Sequence, residues 1–159
     1  MKKIALSLAL VLSFVTVASA ETRKPAPAPV QQDPTFADIE KTLGFVPEFF
    51  KSAPQTLLPA FWNSLKSLQP NPATKLDGKT KELIGLAVAA QIPCEYCIYF
   101  HTEAAKLNGA TDEEVKEAVA MAAVTRMAST IVNGNQVDKA QFKKDTQHIV
   151  ENVRRAAKK

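Results

Sequence analysis

Between Lys81 and His101 the chain reads KELIGLAVAAQIPCEYCIYFH, and this stretch leaves few folds open. Its segment Leu83–Ala90 is apolar nearly all round, the mark of a helix enclosed by other helices rather than laid on a surface. Pro93 cannot continue that helix, because it lacks a backbone N–H and its ring clashes with the preceding turn. A second helix therefore starts at Cys94, and an antiparallel return past Pro93 would carry the Cys97–His101 turn back toward Glu82. The stretch holds both cysteines of the protein, one of its two histidines and a carboxylate.

The remaining segments follow the same period. Thr35 followed by Asp38 resembles a helix start, Phe36, Ile39 and Leu43 share one face, and Gly44 can close the helix in a left-handed conformation. A short helix from Pro47 carries Phe49 and Phe50. The next, from about Gln55 to Leu68, places Leu58, Phe61, Trp62, Leu65 and Leu68 at helical spacing, with Pro59 tolerated near its first turn. This aromatic group reads as core, against an alternative in which Trp62 or Phe61 lines a pocket. Pro70, Pro72 and Gly78 mark a loop before a helix from about Gly78 to Gln91. The Cys94 helix ends at Asn108-Gly109, and Thr111 with Glu114 forms a capping box for an alanine-rich helix to about Val132. Asn133-Gly134-Asn135 reads as a turn. The segment 138–159 is a basic final helix expected to pack on a neighbour through Phe142, Ile149, Val150 and Val153; binding to an anionic membrane or partner is its alternative. No period-two alternation is found, so the expected fold is all-α, a compact multi-helix bundle.

Outside this domain, residues 1–20 carry Lys2 and Lys3, an apolar run from Ile4 to Val17 and the small residues Ala18-Ser19-Ala20. That is the pattern of a cleaved secretory signal peptide, too short for a membrane span, with no cysteine near the cut for a lipid anchor. Residues 21–34 hold Pro25, Pro27, Pro29 and Pro34 and little to bury, so they read as a flexible leader, with a proline-rich ligand as the alternative. Residues 35–137 form the helical domain. The expected product is a periplasmic or secreted protein with no stable membrane insertion. The formal net charge is +4, of which the signal lysines contribute two, and so small a balance argues against nucleic acid as a partner. An exported chain meets oxidising surroundings, so the Cys94/Cys97 pair should spend part of its life as a disulfide.

Helix geometry, ~100° and ~1.5 Å per residue, places Cys94 and Cys97 about one turn apart and His101 one further turn along nearly the same face. The two sulfurs, the histidine and the Glu82 carboxylate are the groups that thiol redox chemistry requires. A thiol at a helix N-terminus is held toward its thiolate by the helix dipole, which favours Cys94 as nucleophile. The i to i+4 spacing sets His101 nearest Cys97, and a local base at the moment of reaction favours Cys97. The reading adopted makes Cys97 the attacking sulfur, which forms a sulfenic acid, and Cys94 the resolving thiol; Glu82 and His101 relay the proton. Neither metal nor organic cofactor is required.

Other readings are weighed beside it. A structural disulfide is open, although so small a loop removes little unfolded-state entropy. Zinc held by Cys94, Cys97, His101 and Glu82 is open, although a second Cys or His pair is missing. A thioredoxin-type site lacks its flanking βαβ pattern. A periplasmic dithiol/disulfide oxidoreductase acting on protein partners, a cofactor-free acid/base enzyme using Glu82 and His101, and a non-catalytic helical oligomer also fit the residues.

Glu82, eleven residues, Cys94-x-x-Cys97-x-x-x-His101 resembles the active-site signature of the alkylhydroperoxidase D-like proteins, within the carboxymuconolactone decarboxylase superfamily. The likeness runs from about Phe36 through Leu43-Gly44-Phe45-Val46-Pro47 and Asn108-Gly109-Ala110-Thr111 to about Asn133. What the resemblance implies is an all-α fold assembling into trimers or hexamers, with thiol peroxidase or disulfide reductase activity. It also implies a hydroperoxide substrate and an external thiol reductant. By position, Cys97 would form the sulfenic acid, Cys94 would resolve it and donate a proton, and Glu82 and His101 would be the relay. The chain departs from the best-known members at Tyr96, where they carry a second histidine. The decarboxylase branch generally lacks the cysteine pair. Export is a further departure, since the family is mostly cytoplasmic and reduced by lipoyl-type partners.

Overall fold

A computed structural model describes residues 33–158. The expected signal peptide, and all of the leader but Asp33 and Pro34, lie outside the described residues. Within them the chain forms seven helices and no strand: α1 Pro34–Leu43, α2 Glu48–Lys51, α3 Leu58–Leu68, α4 Gly78–Gln91, α5 Glu95–Leu107, α6 Asp112–Gly134 and α7 Lys139–Ala156. The all-α expectation holds. No described helix is long and apolar enough to cross a membrane.

Local chemistry sets most boundaries. The start expected from Thr35 and Asp38 lies two residues earlier. Asp33 is the cap, its Oδ1 accepting the Thr35 N–H at 2.8 Å, and Pro34 opens the first turn, where its missing N–H costs nothing. Gly44 closes α1 at φ 83°. Asp77 caps α4 through the Thr80 N–H at 2.7 Å, and the Thr111/Glu114 capping box on α6 is complete, at 3.1 and 2.8 Å. The turn expected at Asn133-Gly134-Asn135 comes slightly later, at Asn135 and Gln136. Asn133 and Asn135 bond back to the Ser129 and Ile131 carbonyls, the helix runs through Gly134, and positive φ falls on Gln136 instead.

Two packed groups result. Ile39, Phe50, Leu58 and Trp62 are buried together from α1, α2 and α3, with Phe36, Val46, Ala53 and Leu65 against them. The Phe50 and Trp62 rings meet edge to face at 5.4 Å. Trp62 is thus core and not pocket lining. Its indole N–H donates to Asp38 Oδ2 at 2.6 Å, and Lys66 Nζ reaches the same oxygen at 2.6 Å. Leu43, Phe61 and Leu68, expected on the inner face, remain largely exposed.

The second group is α4 packed against α5 and α6. Leu86 and Ala89 of α4, Ala105 of α5 and Ala122 of α6 are buried, and small side chains at three of these four positions allow close approach. Polar ties hold the three helices in register. Lys79 pairs with Glu114 at 2.7 Å and Lys106 with Asp112 at 2.8 Å; at the far end Gln91 donates to the Ala122 carbonyl at 2.7 Å and accepts from Arg126 Nε at 2.6 Å. The expectation that α4 is enclosed is met on one side, while Ile84 and Val88 are about half exposed. No residue of α7 is buried, so the packing expected of it is not made within the described residues: no element covers its apolar stripe.

Two predictions follow from this core. Trp62→Ala removes the largest buried side chain and should cost about 3–5 kcal/mol, read from urea unfolding by circular dichroism. The second concerns charge: Lys66, then Trp62, holds the Asp38 carboxyl below its ordinary range, as Lys106 holds that of Asp112. A depressed carboxyl stabilises fully above its unfolded value, about 3.9, and that contribution is lost as pH falls through the folded value. Asn at position 38 could still accept from the indole but carries no charge for Lys66. The stability difference between the wild type and Asp38→Asn should therefore be constant above about pH 5 and close below about pH 4.

Candidate functional site

The site lies where α4 and α5 cross. Cys94 occupies the cap position of α5 with extended backbone, its N–H bonded to the Ala89 carbonyl at 3.1 Å across the Pro93 break. Its sulfur takes the place of a capping oxygen, accepting the Cys97 N–H at 3.2 Å. The two cysteines form a disulfide with Cα atoms 5.3 Å apart, and both residues are partly exposed. One sulfur is therefore bonded to a free N–H at the positive end of a helix, while the other stands in the first turn of that helix.

One turn beyond Cys97, His101 Nδ1 lies 2.7 Å from Glu82 Oε2. The Glu82 side chain is 6% exposed and the His101 side chain 20%. The antiparallel return thus brings these two groups together. A carboxylate only accepts, so His101 Nδ1 carries the proton of this bond and Nε2 is left as the ring's exchangeable position. The pair can orient an imidazole and steady a positive charge on it, which is what a proton relay requires.

Gly85 and Gln69 belong to the same geometry and were not singled out by the sequence. A Cβ at Gly85 would stand within 3 Å of three atoms of the His101 ring, so only glycine lets the imidazole lie against α4 at this distance. Gly78, seven residues earlier, meets Asn108, seven residues beyond His101, in the same way. These two contacts fix an antiparallel register. A mid-helix glycine among apolar residues was the signal, because it costs about 1 kcal/mol and calls for a packing reason. Gln69, at the C-terminal cap of α3, directs its amide nitrogen to both Glu82 oxygens at 3.2 and 3.3 Å. Nothing local in the sequence marks it.

Most residues next to the cysteines in the chain are exposed, charged Glu95 as well as apolar ones. Ile92, Tyr96 and Tyr99 are well exposed, and Tyr96, between the cysteines, is 90% exposed. A separate shallow groove, lined by Val132, Val137 and Phe142 among others, lies where α6 meets α7 and holds none of the four site residues. Among the described residues no group of three or more His, Cys, Asp or Glu side chains is disposed to hold a metal ion.

Three comparisons bear on this arrangement. The model of the Carboxymuconolactone decarboxylase family matches residues 56–137, just over half of the chain. The "Uncharacterized protein 4 in cox locus" of Paracoccus denitrificans is 39% identical over 61 residues, which are 38% of this chain and 55% of that protein. The chain therefore spans about half the length of the curated relative it matches. The crystal structure of the alkylhydroperoxidase AhpD core from Rhodospirillum rubrum is similar with a TM-score of 0.59 and 30% identity, over 69% of this chain and 84% of that one.

The Gly85 contact yields a prediction. In Gly85→Ala the methyl group must displace the imidazole or part α4 from α5, an overpacking of about 1–3 kcal/mol that should offset or exceed the ~1 kcal/mol alanine gains in a helix. Urea unfolding measures the net, and a stabilisation by the full ~1 kcal/mol would show that the helices do not pack this closely.

Proposed function

Since the chain belongs to the carboxymuconolactone decarboxylase family, as an alkylhydroperoxidase D-like member, we propose that it is a thiol-dependent peroxidase working by a dithiol/disulfide cycle. The observation that carries this reading is the Cys94–Cys97 disulfide at the start of α5, with the Glu82–His101 pair one helical turn away. A bridge closing so small a loop does little for stability, so its value lies in chemistry. The name of the Rhodospirillum rubrum relative, an alkylhydroperoxidase, supports the choice of substrate.

In the proposed cycle the Cys97 thiolate attacks the terminal oxygen of a hydroperoxide. The O–O bond breaks, the sulfur loses two electrons and becomes a sulfenic acid, and the leaving alkoxide takes a proton through His101, oriented by Glu82. The Cys94 thiol then attacks the Cys97 sulfur, water leaves and the disulfide forms. An external dithiol reduces the bridge by two exchange steps and is itself oxidised to a disulfide. When the reductant attacks Cys97 in the first exchange, Cys94 leaves, and the Cys97 N–H at the start of the helix can hold the departing sulfur.

Export and self-assembly complete the proposal. Residues 1–20 have the pattern of a signal peptide, which would place the protein in the periplasm or outside the cell. Self-assembly is supported by apolar side chains left exposed on α6, Met121, Val124, Met127 and Ile131, with Ile84 and Val88 of α4.

The Glu82–His101 pair, with the family match, also supports a second reading, a cofactor-free acid/base enzyme of the decarboxylase type. One experiment separates the two. Reduced protein is mixed rapidly with hydrogen peroxide and with an organic hydroperoxide, and thiol loss is followed. The wild type should react far faster than free cysteine, Cys97→Ser should lose that reaction, and Cys94→Ser should stop at a trappable sulfenic acid. His101→Asn should slow the wild-type rate about a hundredfold or more. Oxidation no faster than that of free cysteine would end the peroxidase reading; lactone turnover surviving the loss of both thiols would establish the second.

A further inference from the structure

Among the described residues Glu82 is the only polar or charged one that is buried, and its carboxylate has two side-chain partners from different helices. His101 approaches from α5 and takes Oε2. Gln69 approaches from the end of α3 and spans both oxygens. The Gln69 backbone is itself held: its N–H donates to the Leu65 carbonyl at 2.9 Å, and its carbonyl accepts from Lys81 Nζ at 3.4 Å. Lys81 also donates to the Asn71 carbonyl at 3.0 Å, so the residue beside Glu82 straps the end of α3 to α4.

Hydrogen-bond logic gives this contact a direction. An amide nitrogen has only protons to offer, and by donating to both oxygens it favours the charged carboxylate over the protonated acid, whose oxygens accept more weakly. The proton between Glu82 and His101 is thereby kept on Nδ1. Buried at the edge of an apolar core, a carboxylate with one partner removed would be under-satisfied and free to turn.

We infer that Gln69 is a positioning residue of the dithiol site: its amide fixes the Glu82 carboxylate so that His101 keeps its proton on Nδ1 and exchanges protons through Nε2. The inference rests on the acid–base relay proposed above. It also gives the aromatic group of α1 to α3 a task beyond stability, because that group holds the helix whose last turn delivers Gln69.

The test uses two variants and two readouts. Gln69→Leu removes the donor at similar volume, and Gln69→Glu keeps the shape but sets a second carboxylate against Glu82. In the oxidised protein at about pH 8, where an ordinary imidazole is neutral, long-range nitrogen–proton spectra report which ring nitrogen carries the proton. The exposed His148 serves as the internal reference. The wild type should show His101 as the Nδ1–H form, and both variants should move its nitrogen shifts toward the averaged values of His148. Oxidation of the reduced dithiol by hydrogen peroxide should slow about 10- to 100-fold in Gln69→Leu and more in Gln69→Glu. Folding is checked by Trp62 fluorescence, and if Gln69→Leu fails to fold, Gln69→Glu decides alone. Unchanged His101 nitrogen shifts in the folded variants overturn the inference, even if the rate falls, since a merely structural role would do that. A rate within twofold of wild type overturns it as well. Should wild-type protein not react with peroxide, the peroxidase reading fails and the nitrogen shifts still decide the role of Gln69.

Discussion

The close approach of α4 and α5 is the constraint on which the site depends. Glu82 is buried, and a buried carboxylate persists only if it is paired and hydrogen-bonded. Its partner His101 comes from a different helix, so the pair forms only if the two axes lie close and in one register. Gly85 permits the closeness and the Gly78–Asn108 contact helps set the register. Pro93 turns the chain so that the same helix that brings His101 to Glu82 also begins at Cys94. The disulfide and the Glu82–His101 pair are thereby carried by one helical hairpin.

Other elements act by restraining that hairpin. The pairs Lys79–Glu114 and Lys106–Asp112 tie it to α6 at one end, and Gln91 with Arg126 at the other. These exposed ion pairs contribute little stability one by one. Their distribution over both ends nevertheless opposes sliding, which is the motion that would separate Glu82 from His101. The aromatic group of α1 to α3 acts from outside, through Gln69 and Lys81 at the end of α3. In a chain of this size a single large buried indole with its own hydrogen bond gives a small core a defined packing.

The surface shows what the chain leaves unfinished. Apolar side chains remain exposed on α4, α6 and α7, and α7 buries nothing. Such faces are common where a fold is completed by other copies of itself, which is why self-assembly belongs with the proposed function. Ile92, Tyr96 and Tyr99, beside the cysteines in the chain, are exposed as well.

Much of this was legible in the residues because it is governed by neighbours along the chain. The period of the apolar positions set the all-α class, Pro93 the break, Pro70, Pro72 and Gly78 the loop before α4, the Thr-x-x-Glu pattern the start of α6, and the spacing of Cys94, Cys97 and His101 their common face. Where two local signals competed, the sequence was a poor guide. Asp33 with Pro34 outdid Thr35 as the cap of α1, and side-chain back-bonding by Asn133 and Asn135 accompanies a turn slightly later than expected at the end of α6. The tertiary structure alone decided the rest: that Glu82 touches His101, that Gly85 makes room for the ring, that Gln69 completes the carboxylate, and that α7 buries none of its residues. Helix boundaries depend on interactions spanning a few residues, whereas these contacts join groups 13 to 19 residues apart and depend on how closely, and in what register, separate helices pack.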